Sequence, residues 1–251
     1  MKARTVVTKV LLATLPLLVM FGCKHQENSP AAAPQTKGPA AATVATAKAV
    51  SAVPKVIASQ GSIKISGSQS GSVKVPAKQG GYLVKFRYKG YGLKLEVDSA
   101  LGPLNLIPGG QVAASDGWIE CEDLTSLTGN GEQEYRITAT DPFEIEFVHL
   151  PLPVSADPLP QSYSGTGLKV VGPISLKAGS TAFKVSCPDL KQAGFIAELY
   201  DGRTAQNKGI IALGTGTKVA ETKRLQLPAA GDYLVKINAN GRSDWTIEVS
   251  Q

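Results

Sequence analysis

The stretch YLVKFRY, residues 82–88, decides the fold. Tyr82, Val84, Phe86 and Tyr88 take one parity, and Lys85 and Arg87 take the other. A period of two with one apolar and one wetted face specifies an antiparallel strand lying over a core. DWTIEVS, residues 244–250, repeats the scheme, with Trp245, Ile247 and Val249 inward and Thr246 and Glu248 outward. No stretch shows a capped 3.6-residue period, so helices are not expected.

Working outward, the chain contains the same unit twice. The first copy runs GSVKVPAKQGGYLVKF, YGLKLEVD and EQEYRITATDPFEIEFVHL; the second runs GPISLKAGSTAFKV, GFIAELYD and AAGDYLVKINANGRSDWTIEVS. Val73 and Val75 correspond to Ile174 and Leu176, Val84 and Phe86 to Phe183 and Val185, and Tyr135 and Ile137 to Tyr233 and Val235. Phe143, Ile145 and Phe147 correspond to Trp245, Ile247 and Val249. Short strands between Gly, Pro, Asn and Asp clusters, about 90 residues per unit, predict sandwiches of seven or eight strands. The expected class is all-β: two tandem antiparallel β-sandwich, jelly-roll-like domains after a disordered tether.

The units resemble the small β-sandwich domains of secreted and lipid-anchored bacterial proteins, and loosely the pre-peptidase C-terminal type. That resemblance implies a jelly-roll-like fold and brings no shared catalytic residues.

The 251 residues are 43% hydrophobic and 18% charged, with 26 glycines, enough apolar material for a core. The net charge of +6 is uneven. Residues 1–22 and 23–57 each carry +3, residues 58–159 carry −4 and residues 160–251 carry +4. Nucleic acid requires a concentrated basic face, which this distribution does not provide.

Lys2, Arg4 and Lys9 precede an apolar run from Val10 to Phe21, too short for the ~18–20 residues of a membrane span and suited to a signal peptide. The run ends Met20-Phe21-Gly22-Cys23. This resembles the lipobox of bacterial lipoproteins; Gly22 and Cys23 match, while Phe21 is bulkier than the family's usual residue. The resemblance implies removal of residues 1–22 and acylation of Cys23. Two or three acyl chains, each buried CH₂ giving about 0.8 kcal/mol, make a durable anchor where one does not. Lys24 follows the cysteine, which by family habit points to the outer membrane if the envelope is Gram-negative. A plain signal peptide or uncleaved anchor is the other reading.

Residues 23–57 are Ala/Pro-rich with no aromatic residue, and such a segment buries too little to offset its ordering entropy. It reads as a flexible tether, on the order of 30 Å as a coil and about 100 Å when stretched. Domain 1 is expected over 58–150, a proline-rich linker over 151–162 (PLPVSADPLPQS) and domain 2 over 163–251.

Chemistry is sparse. The two histidines are His25 in the tether and His149 at the end of the first unit, the latter reading as a linker histidine. No catalytic triad, metal motif, P-loop or dinucleotide fingerprint is present, so no catalytic residue, metal site or cofactor is expected. Cys121 and Cys187 remain once Cys23 is acylated; outside the cytoplasm they could form a disulfide between the units or stay free and buried.

DGWIECED, residues 116–123, is the most suggestive stretch. As a strand it turns Ile119 and Cys121 inward and Trp118, Glu120 and Glu122 to water. An exposed indole beside carboxylates offers a platform for a sugar ring. The plainer reading is a solvated charged strand whose Trp covers a sheet edge. Asp116, Glu120, Glu122 and Asp123 match no defined calcium loop. The sequence therefore predicts a non-enzymatic, lipid-anchored protein of the bacterial cell envelope. It would be held to the membrane by Cys23 and bind an envelope protein or glycan. A structural role in an envelope assembly, or a lipid-anchored hydrolase, are the alternatives.

Overall fold

A computed structural model describes residues 54–59, 61–90, 93–99, 102–105, 117–127, 129–154, 157–191 and 194–251. The signal peptide, Cys23, His25, nearly all of the tether and Asp116 lie outside the described residues. The described residues belong to one compact unit.

The first set of strands is β1 (Lys55–Ser59), β2 (Ser62–Gly67), β3 (Gly71–Ala77), β4 (Gly80–Lys89), β5 (Lys94–Ser99), β6 (Gly102–Asn105), β7 (Trp118–Leu127), β8 (Gly131–Thr138) and β9 (Phe143–His149). The second is β10 (Gln161–Thr166), β11 (Leu168–Leu176), β12 (Gly179–Cys187), β13 (Phe195–Asp201), β14 (Asn207–Gly214), β15 (Val219–Leu227), β16 (Gly231–Ala239) and β17 (Asp244–Ser250). A short 3-10 turn at Asn240–Arg242 links β16 to β17.

Four antiparallel sheets result, ordered β1-β2-β9-β4-β7, β3-β8-β5-β6, β10-β17-β12-β15 and β11-β16-β13-β14. Moving eight strands along the chain maps β2-β9-β4-β7 onto β10-β17-β12-β15, and β3-β8-β5-β6 onto β11-β16-β13-β14. Each set is thus an eight-strand jelly roll, two sheets closed face to face. β1 is an extra edge strand that only the first sandwich carries. It pairs with β2 from Lys55↔Ser66 to Ser59↔Ser62.

The alternating residues build the two cores. Phe86, Tyr135, Phe143, Ile145 and Phe147 pack in the first. Their counterparts Val185, Tyr233, Trp245, Ile247 and Val249 pack in the second. Trp245 is fully buried, and its indole N–H donates to the Gly167 carbonyl at 3.0 Å. That bond satisfies the one polar atom of a large apolar ring.

A third apolar cluster joins the sandwiches. Leu83, Leu150 and Leu234 are buried together, with Leu124, Val148, Leu152, Val170, Tyr200 and Ala205 against them. Leu83 and Leu234 both take the outward parity of their strands, so each sandwich buries one outward leucine in a cluster shared with the other. The rim is polar. The Val170 N–H donates to Glu122 Oε2 at 3.2 Å, and Lys236 pairs with Asp123. The β13–β14 turn seats closely on β4, where a Cβ on Gly81 would lie 2.7 Å from the Thr204 carbonyl carbon. Only a residue without a side chain lets the two backbones approach so far.

Two expected boundaries move. Lys55, Val56 and Ile57, assigned to the tether, form part of β1, because Val56 packs against the first core. Gln161 and Ser162, assigned to the linker, pair with Val249 and Glu248 at the start of β10.

Candidate functional site

The outer face of the five-stranded sheet is where the sequence concentrates its charge. Cross-strand registers place the side chains in rows. One row runs Ile57, Lys64, Glu146, Lys85, Glu122 across β1, β2, β9, β4 and β7. The next runs Lys55, Ser66, Glu144, Arg87, Glu120. Opposite charges face each other between neighbouring strands, the arrangement that stabilises a sheet face. Lys64 lies 3.4 Å from Glu146. Arg87 reaches Glu120 at 3.2 Å and Glu144 at 3.7 Å.

These rows line a solvent-open groove of about 350 Å³. Ile57, 51% exposed, borders one side, and Lys169 of the second sandwich borders the other. Both sandwiches therefore contribute to the groove. Its charges are Lys64, Lys85, Arg87 and Lys169 against Glu120, Glu122, Glu144 and Glu146.

Of the predicted ligand platform, Glu120 and Glu122 line this groove. Trp118 is half-buried, with the Arg87 guanidinium 4.2 Å and the Lys89 ammonium 5.2 Å from its ring centre. Cation–π contact thus engages the ring on which a sugar would stack. Glu120 is exposed yet paired with Arg87, and Glu122 is half-buried where it receives the Val170 N–H. Cross-strand neighbours made these assignments, and the local sequence of β7 carries no sign of them.

Cys121 and Cys187 do not form a disulfide; both are free and buried. Cys121 opposes Phe86 inside the first core, and Cys187 opposes Val219 inside the second. Two thiols in separate cores cannot meet across the junction. Burial, with the nearby Asp123 adding to it, pushes the Cys121 thiol up to about 12, and burial likewise raises Cys187. Such thiols stay protonated and unreactive.

His149 occupies the inward parity of β9, following Phe143, Ile145 and Phe147. It makes an edge contact with Tyr82, ring centres 4.9 Å apart. Among the described residues no group of three or more His, Cys, Asp or Glu side chains is arranged to hold a metal ion.

Neither a family model nor a curated protein matches the chain. Among solved structures it is similar to a conserved protein of unknown function from Pseudomonas aeruginosa PAO1, at 16% identity over 81% of this chain and 90% of that one, with a TM-score of 0.25. It is also similar to an N-terminal CBM22 tandem domain from Paenibacillus barcinonensis, at 13% identity over 75% and 86%, TM-score 0.24. A cupin 2 conserved barrel domain protein from Leptotrichia buccalis gives 12% identity over 82% and 91%, TM-score 0.25. Scores this low carry no argument about function, and the topology rests on the chain's own strand order.

Proposed function

We propose that this chain is a lipid-anchored protein of the bacterial cell envelope whose rigid pair of sandwiches binds another envelope protein without catalysis. The observation that carries the reading is the groove of interleaved charge on the first sandwich. Exposed ion pairs contribute only about 0–1 kcal/mol each, so fold stability is a weak reason to assemble four acids and four bases on one face. A face of alternating sign does select a partner by register, because a shift by one position sets like charges against each other. A protein surface fits this pattern better than a glycan, since Arg87 and Lys89 cover the Trp118 ring. Acylation of Cys23 rests on the lipobox resemblance and places the module at a membrane; the tether holds it off the bilayer.

A photo-crosslinking residue at position 120 in intact cells tests the binding reading. It should trap one defined envelope protein, while the same group at Ser164, on the second sandwich, should not. A glycan array that gives a Trp118-dependent signal, with no protein adduct at position 120, would overturn the preference for protein. Mass spectrometry of the mature amino terminus tests the anchor separately: an acylated Cys23 as first residue supports it, and an uncut chain with a free thiol there refutes it.

A second reading is favoured by β1. It is an edge strand with Ile57 exposed, and such edges accept a further strand from another chain. In that case the protein is a component of an envelope assembly.

A further inference from the structure

We infer that the open end of the first sandwich is a binding site for a small amphipathic anion, an apolar body bearing one carboxylate. A cavity of about 460 Å³ opens there, within the roughly 300–1,000 Å³ range of small-molecule sites. Its walls include Ile63, Tyr82, Phe147 and Leu150, all buried core side chains. Among the described residues of its lining, Lys78 and His149 are the basic groups and none is Asp or Glu. An apolar chamber whose charged rim is basic is complementary to an acid with a hydrocarbon or aryl body.

The duplication supplies a comparison for His149. In the second sandwich Gln251 continues the inward parity of β17, as His149 does on β9. Its carboxamide is fully engaged: Oε1 accepts from the Lys177 N–H at 2.7 Å, and Nε2 donates to the Lys177 carbonyl at 2.6 Å and to Thr181 Oγ1 at 3.0 Å. That side chain is spent on the turn of its own sandwich. In the first sandwich Tyr82 stands opposite His149, and its hydroxyl is committed to the backbone of Lys78, donating to the carbonyl at 2.8 Å and accepting from the N–H at 3.0 Å. The imidazole lies over Gly80, where a Cβ would come within 2.8 Å of Nε2. It contacts the Tyr82 ring and makes no hydrogen bond to the described residues. Its nitrogens are left to serve a ligand at the mouth, whose lining also includes Lys78. The site is separate from the charged groove and does not depend on what the groove binds.

Titration calorimetry on the full chain carrying Cys23→Ser, so that no attached acyl chain competes, tests the inference with decanoate, decanol and decylamine at pH 7. One decanoate should bind per chain, with decylamine at least tenfold weaker. Ala58→Trp, at an exposed residue on the Val56 side of β1, should plug the mouth and abolish the decanoate heat without changing the unfolding temperature. Lys78→Glu, at an exposed side chain, should weaken decanoate at least tenfold and favour decylamine, and His149→Gln should weaken decanoate in the same direction. Equal affinity for decanoate and decylamine, decanoate binding unchanged in both Ala58→Trp and Lys78→Glu, or no heat with any probe would each overturn the site.

Discussion

Leu234→Ala is the sharpest test of the junction between the sandwiches. Leu234 is fully buried, yet it sits in the outward parity of β16 and packs against Leu83 and Leu150 of the first sandwich. Truncation therefore removes contact between sandwiches while leaving the second core's own residues in place. Three carbon groups leave an apolar environment, at about 0.8 kcal/mol each or roughly 2.4 kcal/mol. The unfilled space adds to this, and buried Leu→Ala substitutions reach about 5 kcal/mol. For a folded region of this size, ~2.4 kcal/mol corresponds to a fall in Tm of roughly 5–10 °C. Calorimetric unfolding should show that fall, with a single transition broadening or dividing as the sandwiches uncouple. Leu213→Ala is the control: at 64% exposure its effect should stay within about 0.5 kcal/mol. A loss below about 0.5 kcal/mol for Leu234→Ala would mean that the sandwiches are not energetically joined there.

Three further outcomes follow from named groups. Burial alone would raise the Asp201 carboxyl, but bonds from the Arg203 and Thr204 N–H groups and the Thr204 hydroxyl, with Lys208 nearby, hold it below its ordinary value. Its stabilising contribution is therefore present above the ordinary carboxylate range and lost as pH falls through the lowered folded value. Asp201→Asn should cost about 1 kcal/mol at pH 7 by urea unfolding, and the gap to the unsubstituted chain should narrow below about pH 4. Native protein should resist thiol reagents at Cys121 and Cys187, whereas unfolded protein should take up label at both; rapid native labelling at pH 8 would contradict their burial. Arg87→Ala should uncover the Trp118 ring and shift its fluorescence to the red, with a stability loss of about 1 kcal/mol or less because both ion pairs are exposed.

The fold was legible where one residue's neighbours in sequence report its environment. Alternation in YLVKFRY and DWTIEVS marked strands and their inner faces, and equivalent residues of the two copies occupy equivalent strands. What depended on distant chain was not legible. Leu83 and Leu234 stand in the outward phase, and nothing local says that another sandwich covers them. Trp118, Glu120 and Glu122 follow the strand period as expected. Their partners come from β4 and from β11, at Arg87, Lys89 and Val170, which the local sequence of β7 does not announce. The cysteines were left open between two readings for the same reason: spacing cannot reveal that each belongs to a different core. His149 could have been recognised, since it extends the stripe Phe143, Ile145, Phe147 by one further step inward.

The extra strand β1 also has a mechanical meaning. Any pull transmitted through the chain before Lys55 acts at the open end of the β1–β2 hairpin, opposite its turn at Gly61. Ladder bonds loaded from that end break in succession, not together, and each residue released adds roughly 3.3 Å of slack. Under tension the five residues of β1 would peel away first and lengthen the leash, while β2 keeps its pairing with β9 and the jelly roll behind it stays closed.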